Sequence, residues 1–283
     1  MTLPNFLYIG PDKAGSSWLH EALIVHPEVY LSPAKDLYFF DRYYDRGIKW
    51  YESQFEAATT RHLVVGEVCQ DYLSNPLSPA RIAADLPEAR LMMTVRDPVA
   101  RAFSSYLYMR KHGLGPATFA EALRSEPELI EHGRYGVQLR RYREHFDRDR
   151  IHVAVFDDLG ADPQLFLDEV TRFLEISRLE LTPELAGVRL AAGRARVVPL
   201  ARAVRMGADV VRRLDGANLV AKVKRSALVQ RVLYQPLGDD KPTVSPADAA
   251  YVREALGEDV AMLEADLGLD LREKWGWADV AAG

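Results

Sequence analysis

The sequence predicts a three-layer α/β fold: a central parallel sheet flanked by helices, followed by a helical C-terminal section. Three observations point there. Short apolar runs alternate with longer stretches of helical periodicity, the pattern of a parallel sheet with crossover helices. The runs FLYIG (6–10), RLMMTVR (90–96) and IHVAVF (151–156) are dense in apolar residues, as strands covered on both faces should be. The first run also empties directly into a polar, glycine-bearing loop, IGPDKAGSSW (9–18), which opens a helical pattern.

The elements follow in order. Strands are expected at 6–10, 62–68, 90–96 and 151–156, with a brief further one at EVYL (28–31). Helices are expected near 16–26, 79–85, 99–112, 118–125, 134–146 and 163–175. Ser16 and Ser17 suit an N-terminal cap, and DPVAR puts a proline in the first turn of the third helix. The character changes after Pro183. Segments 198–214 and 217–234 are rich in Arg and Val, and 244–267 reads as a long amphipathic helix. No internal repeat or low-complexity linker interrupts the chain. One domain over 1–283 is expected, with an α/β core at 1–180 and a mainly helical part at 181–283.

Composition narrows the function. A net charge of -5 argues against a general nucleic-acid binder. The single cysteine, Cys69, excludes an internal disulfide and a multi-cysteine metal site. The N-terminus has neither the basic start nor the apolar core of a signal peptide, and no run of about 18 apolar residues occurs. A cytoplasmic enzyme without a transmembrane segment is the expectation. Only eight of the 36 basic residues are lysines, so Lys13 and Lys35 stand out.

The loop at 10–17 has the chemistry of an anion site. A glycine turn before a helix aims backbone N–H groups and the positive helix end at one point. Lys13 adds a charge, and Ser16 and Ser17 add hydroxyl donors. The nucleoside-triphosphate loop, G-x-x-x-x-G-K-S/T, is not reproduced. Gly10 and Gly15 keep its spacing, but Ser16 stands where that lysine would be, and no magnesium-binding pattern follows. The lysine lies mid-loop instead. The bland alternative is a glycine turn with a purely structural role.

A second motif, VRDPVARAFSSY (95–106), follows a strand. It carries Arg96 at the strand end, Arg101 early in the next helix and Ser104 one turn on. An arginine fork matches phosphate oxygens, and a hydroxyl can join it. In order, G-x-x-K-x-G-S/T and R-x-P-x-x-R-x-x-S-x-Y resemble the signature of PAPS-dependent sulfotransferases, where PAPS is 3′-phosphoadenosine 5′-phosphosulfate. Between them, SPAKDLYFFDRYYDRGIKWYESQF (32–55) is similar to a K-E-x-x-F-F-D … G-x-x-W-Y-x-x-x-F segment of the heparan-sulfate-type and related bacterial members. Lys35, Phe39, Phe40, Asp41, Gly47, Trp50, Tyr51 and Phe55 match. GEVCQDYL (66–73) keeps Glu67 and Tyr72 of the next strand-end motif, with Val68 where some members have lysine. The resemblance covers 5–176 well and the rest loosely.

That resemblance implies a P-loop-like fold with a PAPS-binding core over 1–180, and a cofactor site holding PAPS or its product PAP without an obligatory metal. It assigns the 5′-phosphosulfate loop to Lys13, Ala14, Gly15, Ser16, Ser17 and Trp18, and the 3′-phosphate to Arg96 and Ser104. LAAGRARVVPL (190–200) resembles the loop that closes over the 3′-phosphate, with Gly193, Arg194 and Arg196 as contacts. Its bland reading is an interhelical turn.

Catalysis of sulfuryl transfer needs a cation at the leaving oxygen and a base for the acceptor. Lys13 fits the leaving-group side, and Lys35 the sulfonate in flight. Asp36 stands where the resembled group has a glutamate base, one methylene shorter, and Glu67 is the other candidate. His20 and His26 are expected to pack; His112 is the histidine nearest a motif. The Arg-rich stretch 202–231 reads either as a solvated helical face or as a surface for a lipid-like acceptor or a peripheral membrane contact. Two other functions stay in view: a P-loop nucleotide kinase-like phosphotransferase and a non-catalytic nucleotide-binding module. The acceptor class stays open among small molecules, saccharides and lipid-like compounds, and oligomeric state is not indicated.

Overall fold

A computed structural model of the chain describes residues 2–186 and 242–277, together with the backbone of 193–195 and 234–236. In chain order, residues up to Arg96 form β1 (Phe6–Gly10), α1 (Ser16–Leu23), β2 (Val29–Leu31), α2 (Phe39–Arg42), α3 (Ile48–Ser53), β3 (Val64–Val68), α4 (Ser78–Asp85) and β4 (Arg90–Val95). Then come α5 (Pro98–Lys111), α6 (Phe119–Ser125) and α7 (Glu128–Glu131). The chain continues with α8 (Tyr135–Arg143), β5 (Ile151–Val155), α9 (Phe156–Ala161), α10 (Pro163–Leu174) and α11 (Pro183–Ala186). The last described elements are β6 (Gly193–Ala195), β7 (Tyr234–Pro236), α12 (Pro246–Leu267) and α13 (Leu271–Lys274).

Two compact units result. Met1–Arg96 and Arg134–Arg189 make the first; Asp97–Gly133 and Leu190–Gly283 make the second. The segment 97–133, which the sequence pattern places in the core, therefore groups with the C-terminal part.

The first unit holds a five-stranded sheet in the order β2-β3-β1-β4-β5. Every neighbouring pair is parallel. The sheet is therefore the one the apolar runs predict, short edge strand included. Phe6, Tyr8, Val64, Val68, Met92 and Ala154 alternate along their strands and pack against Trp18, Leu19 and Leu23 of α1 and Phe166, Leu167 and Val170 of α10. Alternation sends Leu7, Ile9 and Glu67 to the other side. For an apolar residue that is ordinary core. For Glu67 it is not.

In the second unit, Asp97 caps α5 by accepting hydrogen bonds from the N–H groups of Val99 and Ala100. Fully buried Arg101 donates to the Leu129 carbonyl and so ties α5 to α7. The arginine that the motif shares with phosphate sites is here a strut. β6 and β7 pair antiparallel, Gly193 opposite Pro236. Arg196 and the Arg-rich segments 198–214 and 217–234 lie outside the described residues apart from the β7 backbone, and the side chains of Gly193 and Arg194 are likewise not described. Among the described residues, no helix is long and apolar enough to cross a membrane.

Candidate active site

Parallel strands of such a sheet end together, and ligands bind beyond their carboxyl ends. The first unit brings three segments there: the Gly10–Ser17 loop after β1, the segment from Lys35 to Phe39 after β2, and the turn after β3.

The β1–α1 loop has a backbone geometry that suits an anion. Lys13 has φ 61 and Gly15 φ 92, two left-handed residues separated by Ala14. A Cβ at Gly15 would stand 3.1 Å from Leu159 and 3.2 Å from Phe156, so α9 closes the loop from outside. Gly15 is the N-cap of α1, yet no side chain caps that helix and its first turn holds no acid. By contrast α5, α10 and α12 are capped by the side chains of Asp97, Asp162 and Ser245. An uncapped helix start leaves N–H donors in search of an acceptor. Ala14 and Ser16 are buried, and Lys13 and Ser17 half-buried. These residues fit a phosphosulfate group.

Trp18 corrects one expectation. Its ring lies in the core, edge-on to Phe166, and its indole N–H donates to the Leu185 carbonyl at 2.9 Å. Only its backbone could face a ligand. Arg96 lies against the loop itself: Nη1 donates to the Lys13 carbonyl at 2.6 Å, and the guanidinium covers Phe156 at 4.7 Å. Ser104 lies on α5 in the second unit, half-buried.

The second segment is joined to the first through the turn after β3. Gly10 has φ 132, and a Cβ there would sit 2.4 Å from the Gln70 carbonyl oxygen. Cys69 and Leu73 donate backbone hydrogen bonds to the Tyr8 and Ile9 carbonyls. On its other side, Gln70 N–H donates to Asp36 Oδ1 at 3.2 Å. Tyr8 beneath them registers the proximity: burial raises its phenol pKa, and the carboxylates of Asp12 and Asp36 add to the rise. Lys35 Nζ lies 3.5 Å from the Asp36 carboxylate. Lys13, Lys35 and Asp36 thus come from segments packed on the same turn.

Glu67 behaves differently from the crevice-facing base the sequence suggests. It is 0% exposed. Its oxygens accept from Leu37 N–H at 2.9 Å, Tyr51 Oη at 2.7 Å and Tyr72 Oη at 3.0 and 3.1 Å. Burial pushes its pKa up to about 8 against the pull of those donors.

The aromatic residues that follow Asp36 in the chain pack with Tyr51 and Tyr72. Phe39 stacks on Tyr51 at 4.5 Å, and Phe40 meets Tyr51 and Tyr72 edge-on. Farther out, the Arg46 guanidinium lies 4.6 Å from both the Tyr43 and Trp50 rings, and that of Arg42 lies 4.1 Å from Tyr38. The histidines pack: His20 and His26 are buried and face the Ser32 and Ser177 carbonyls. His112 lies 2.8 Å from the Tyr108 carbonyl within its own helix.

Sequence reasoning assigns no role to Asp12, Tyr8 or Gln70. Tyr8 hides in an apolar strand, Gln70 acts through its backbone, and neither carries a motif. Tyr51 and Tyr72 match motif positions, but their convergence on Glu67 from 16 and 5 residues away needs the fold.

Comparison with known proteins shows what the chain is similar to. A profile described as "Sulfotransferase family" matches residues 68–180. A membrane-associated sulfotransferase of Dictyostelium discoideum is 32% identical over 139 residues, covering 46% of this chain and 30% of that protein. A human bifunctional heparan sulfate N-deacetylase/N-sulfotransferase is 29% identical over 197 residues, 62% of this chain and 22% of that one. The chain thus spans less than a third of the length of either curated relative. A crystal structure of a sulfotransferase from Alicyclobacillus acidocaldarius superposes with a TM-score of 0.59 at 25% identity, covering 82% of this chain and all of that one. The parallel sheet, the mid-loop lysine and these similarities together support a sulfotransferase family for this chain.

Proposed function

We propose that this protein transfers the sulfuryl group of PAPS to a hydroxyl or amine of an acceptor by in-line displacement. The observation that carries the reading is the uncapped start of α1, lined by Lys13 and Gly15 and joined through Gln70 to a segment carrying Lys35 and Asp36. PAPS supplies an activated sulfuryl group on a 5′-phosphate. Lys13 and the N–H groups of residues 14–18 would hold the phosphate oxygen that gains negative charge as its bond to sulfur breaks. Asp36 would take the proton of the acceptor as the new bond to sulfur forms. Lys35 would balance the sulfonate charge between them and keep Asp36 oriented. Arg96, with Ser104, Gly193, Arg194 and Arg196, is assigned the 3′-phosphate on the sequence pattern alone.

A saccharide is the acceptor class best supported. Half-buried Tyr43, Trp50 and Arg46 present aromatic faces beside a cation, a surface suited to sugar rings that carry anionic substituents. The relative named for heparan sulfate acts on such a polymer.

A thermal-shift comparison of PAP with ATP–Mg²⁺ tests the donor. PAP should raise the melting temperature by several degrees and ATP–Mg²⁺ by much less. A preference for ATP–Mg²⁺ would overturn the reading in favour of a phosphotransferase. Incubation with radiolabelled PAPS and a glucosamine oligosaccharide, a phenol and a long-chain alcohol then separates the acceptor classes.

A further inference from the structure

Asp36 and Tyr38 both adopt left-handed backbone, φ 63 and 57. For residues with a Cβ such conformations cost on the order of 1 kcal/mol or more each, so the surroundings must enforce them. Leu37 lies between the two, and its N–H is the group that Glu67 accepts, at 2.9 Å. The neighbouring N–H groups are held as well. Asp36 donates to the Val68 carbonyl at 2.9 Å and Phe39 to Tyr72 Oη at 2.9 Å. Tyr72 in turn donates to Glu67, and Tyr51 donates to the remaining oxygen at 2.7 Å. All three of Glu67, Tyr51 and Tyr72 are 0% exposed.

A general base must come within about 3 Å of the proton it removes. Glu67 is closed off from any acceptor by the groups that donate to it. Its place in the structure answers a different need.

We infer that Glu67 is the positioning residue for Asp36: its buried carboxyl, oriented by Tyr51 and Tyr72, pins Leu37 N–H and thereby fixes the left-handed turn that presents the Asp36 carboxylate. The inference rests on the reading of Asp36 as the proton acceptor. It separates two carboxylates with opposite duties, one half-buried at the reacting atoms and one sealed behind them. Pinning Leu37 requires an acceptor oxygen at residue 67 but not a negative charge, since a protonated carboxyl or an amide still offers its carbonyl oxygen.

The test compares Glu67→Gln, Glu67→Leu and Asp36→Asn in the full chain. It measures PAP affinity, radiolabelled sulfate transfer from PAPS to a glucosamine oligosaccharide, and amide exchange at residues 36–39. Glu67→Leu should speed exchange at Leu37 and Phe39 at least ~10-fold and lower kcat ~10–100-fold, as expected for a carboxylate displaced by about 1 Å. PAP affinity and the KM for PAPS should stay within about twofold. Glu67→Gln should recover most of the turnover and the slow exchange. If Glu67→Gln is as inactive as Asp36→Asn while still binding PAP, Glu67 is the base and the inference is wrong. Unchanged exchange in Glu67→Leu overturns it equally. Should that variant not fold, Tyr72→Phe, which keeps the ring and removes the acceptor of Phe39 N–H, must speed exchange at Phe39, and no change there overturns it. Exchange needs no turnover, so a wild type that binds no PAP would sink the sulfuryl-transfer reading and leave this test intact.

Discussion

The two loops of the first unit use the same backbone device to opposite ends. In the Gly10–Ser17 loop, left-handed residues at 13 and 15 bring the chain to a helix start that no side chain caps. In the segment from Lys35 to Phe39, left-handed residues at 36 and 38 bring three consecutive-region N–H groups onto internal acceptors: the Val68 carbonyl, Glu67 and Tyr72. One loop leads to a helix start without a side-chain cap. The other uses its N–H donors to hold itself still. An anion site gains from unmatched N–H groups because a bound phosphate matches them, whereas a base gains from a fixed carboxylate because proton transfer is sensitive to distance.

That contrast can be broken most severely at Asp36. Asp36→Asn keeps the size and the hydrogen bond from Gln70 but removes the carboxylate proposed to accept the proton. Steady-state transfer should fall ~100- to 10,000-fold with PAP affinity within about twofold. Unaltered turnover would move the base elsewhere.

The pH dependence of stability sharpens it next. The folded Glu67 carboxyl, at about 8, binds a proton that the unfolded chain, at about 4.5, has already released. Relative to Glu67→Gln, the wild type should therefore be most stable below pH 4.5, lose a few kcal/mol as pH rises from there through 8, and level off above. Denaturant titrations of both proteins at pH 5, 7 and 9 measure it. A constant difference between them would mean that the site is far less enclosed than its burial indicates.

The smallest expected effects lie at the open loop. Lys13→Ala and Arg96→Ala should each weaken PAP binding ~10–100-fold, the worth of a hydrogen bond to a charged group, with little change in melting temperature. Calorimetric titration decides it. Full affinity in Lys13→Ala would remove the loop from the donor site.

Much of this was legible in the residues. The apolar runs at 6–10, 90–96 and 151–156 locate three of the five parallel strands within a residue of their ends. The spacing of Gly10, Lys13 and Gly15 marks the anion loop, because a glycine turn before a helix is local chemistry. Asp36 stands out by resemblance, at the position where the heparan-sulfate-type segment has its glutamate. The roles that were not legible depend on contacts far apart in sequence. Glu67 looks like any acid at a strand end until Tyr51 and Tyr72 close over it. Trp18 looks like a loop residue until α10 brings Phe166 to its ring. Arg101 reads only as a motif arginine early in a helix until the fold buries it and sets it against the Leu129 carbonyl.

The sequence by itself determined the order of strands and helices and the chemistry of the loop after β1, since hydrophobic period and turn residues act over a few positions. Only the tertiary structure decided which carboxylate is sealed and which is open. Burial is a property of what packs around a group, and the shift of Glu67 comes from surroundings that no short stretch of chain contains. The tertiary structure likewise decided that 97–133 groups with the C-terminal section, because compactness is settled by contacts between segments and not by their order along the chain.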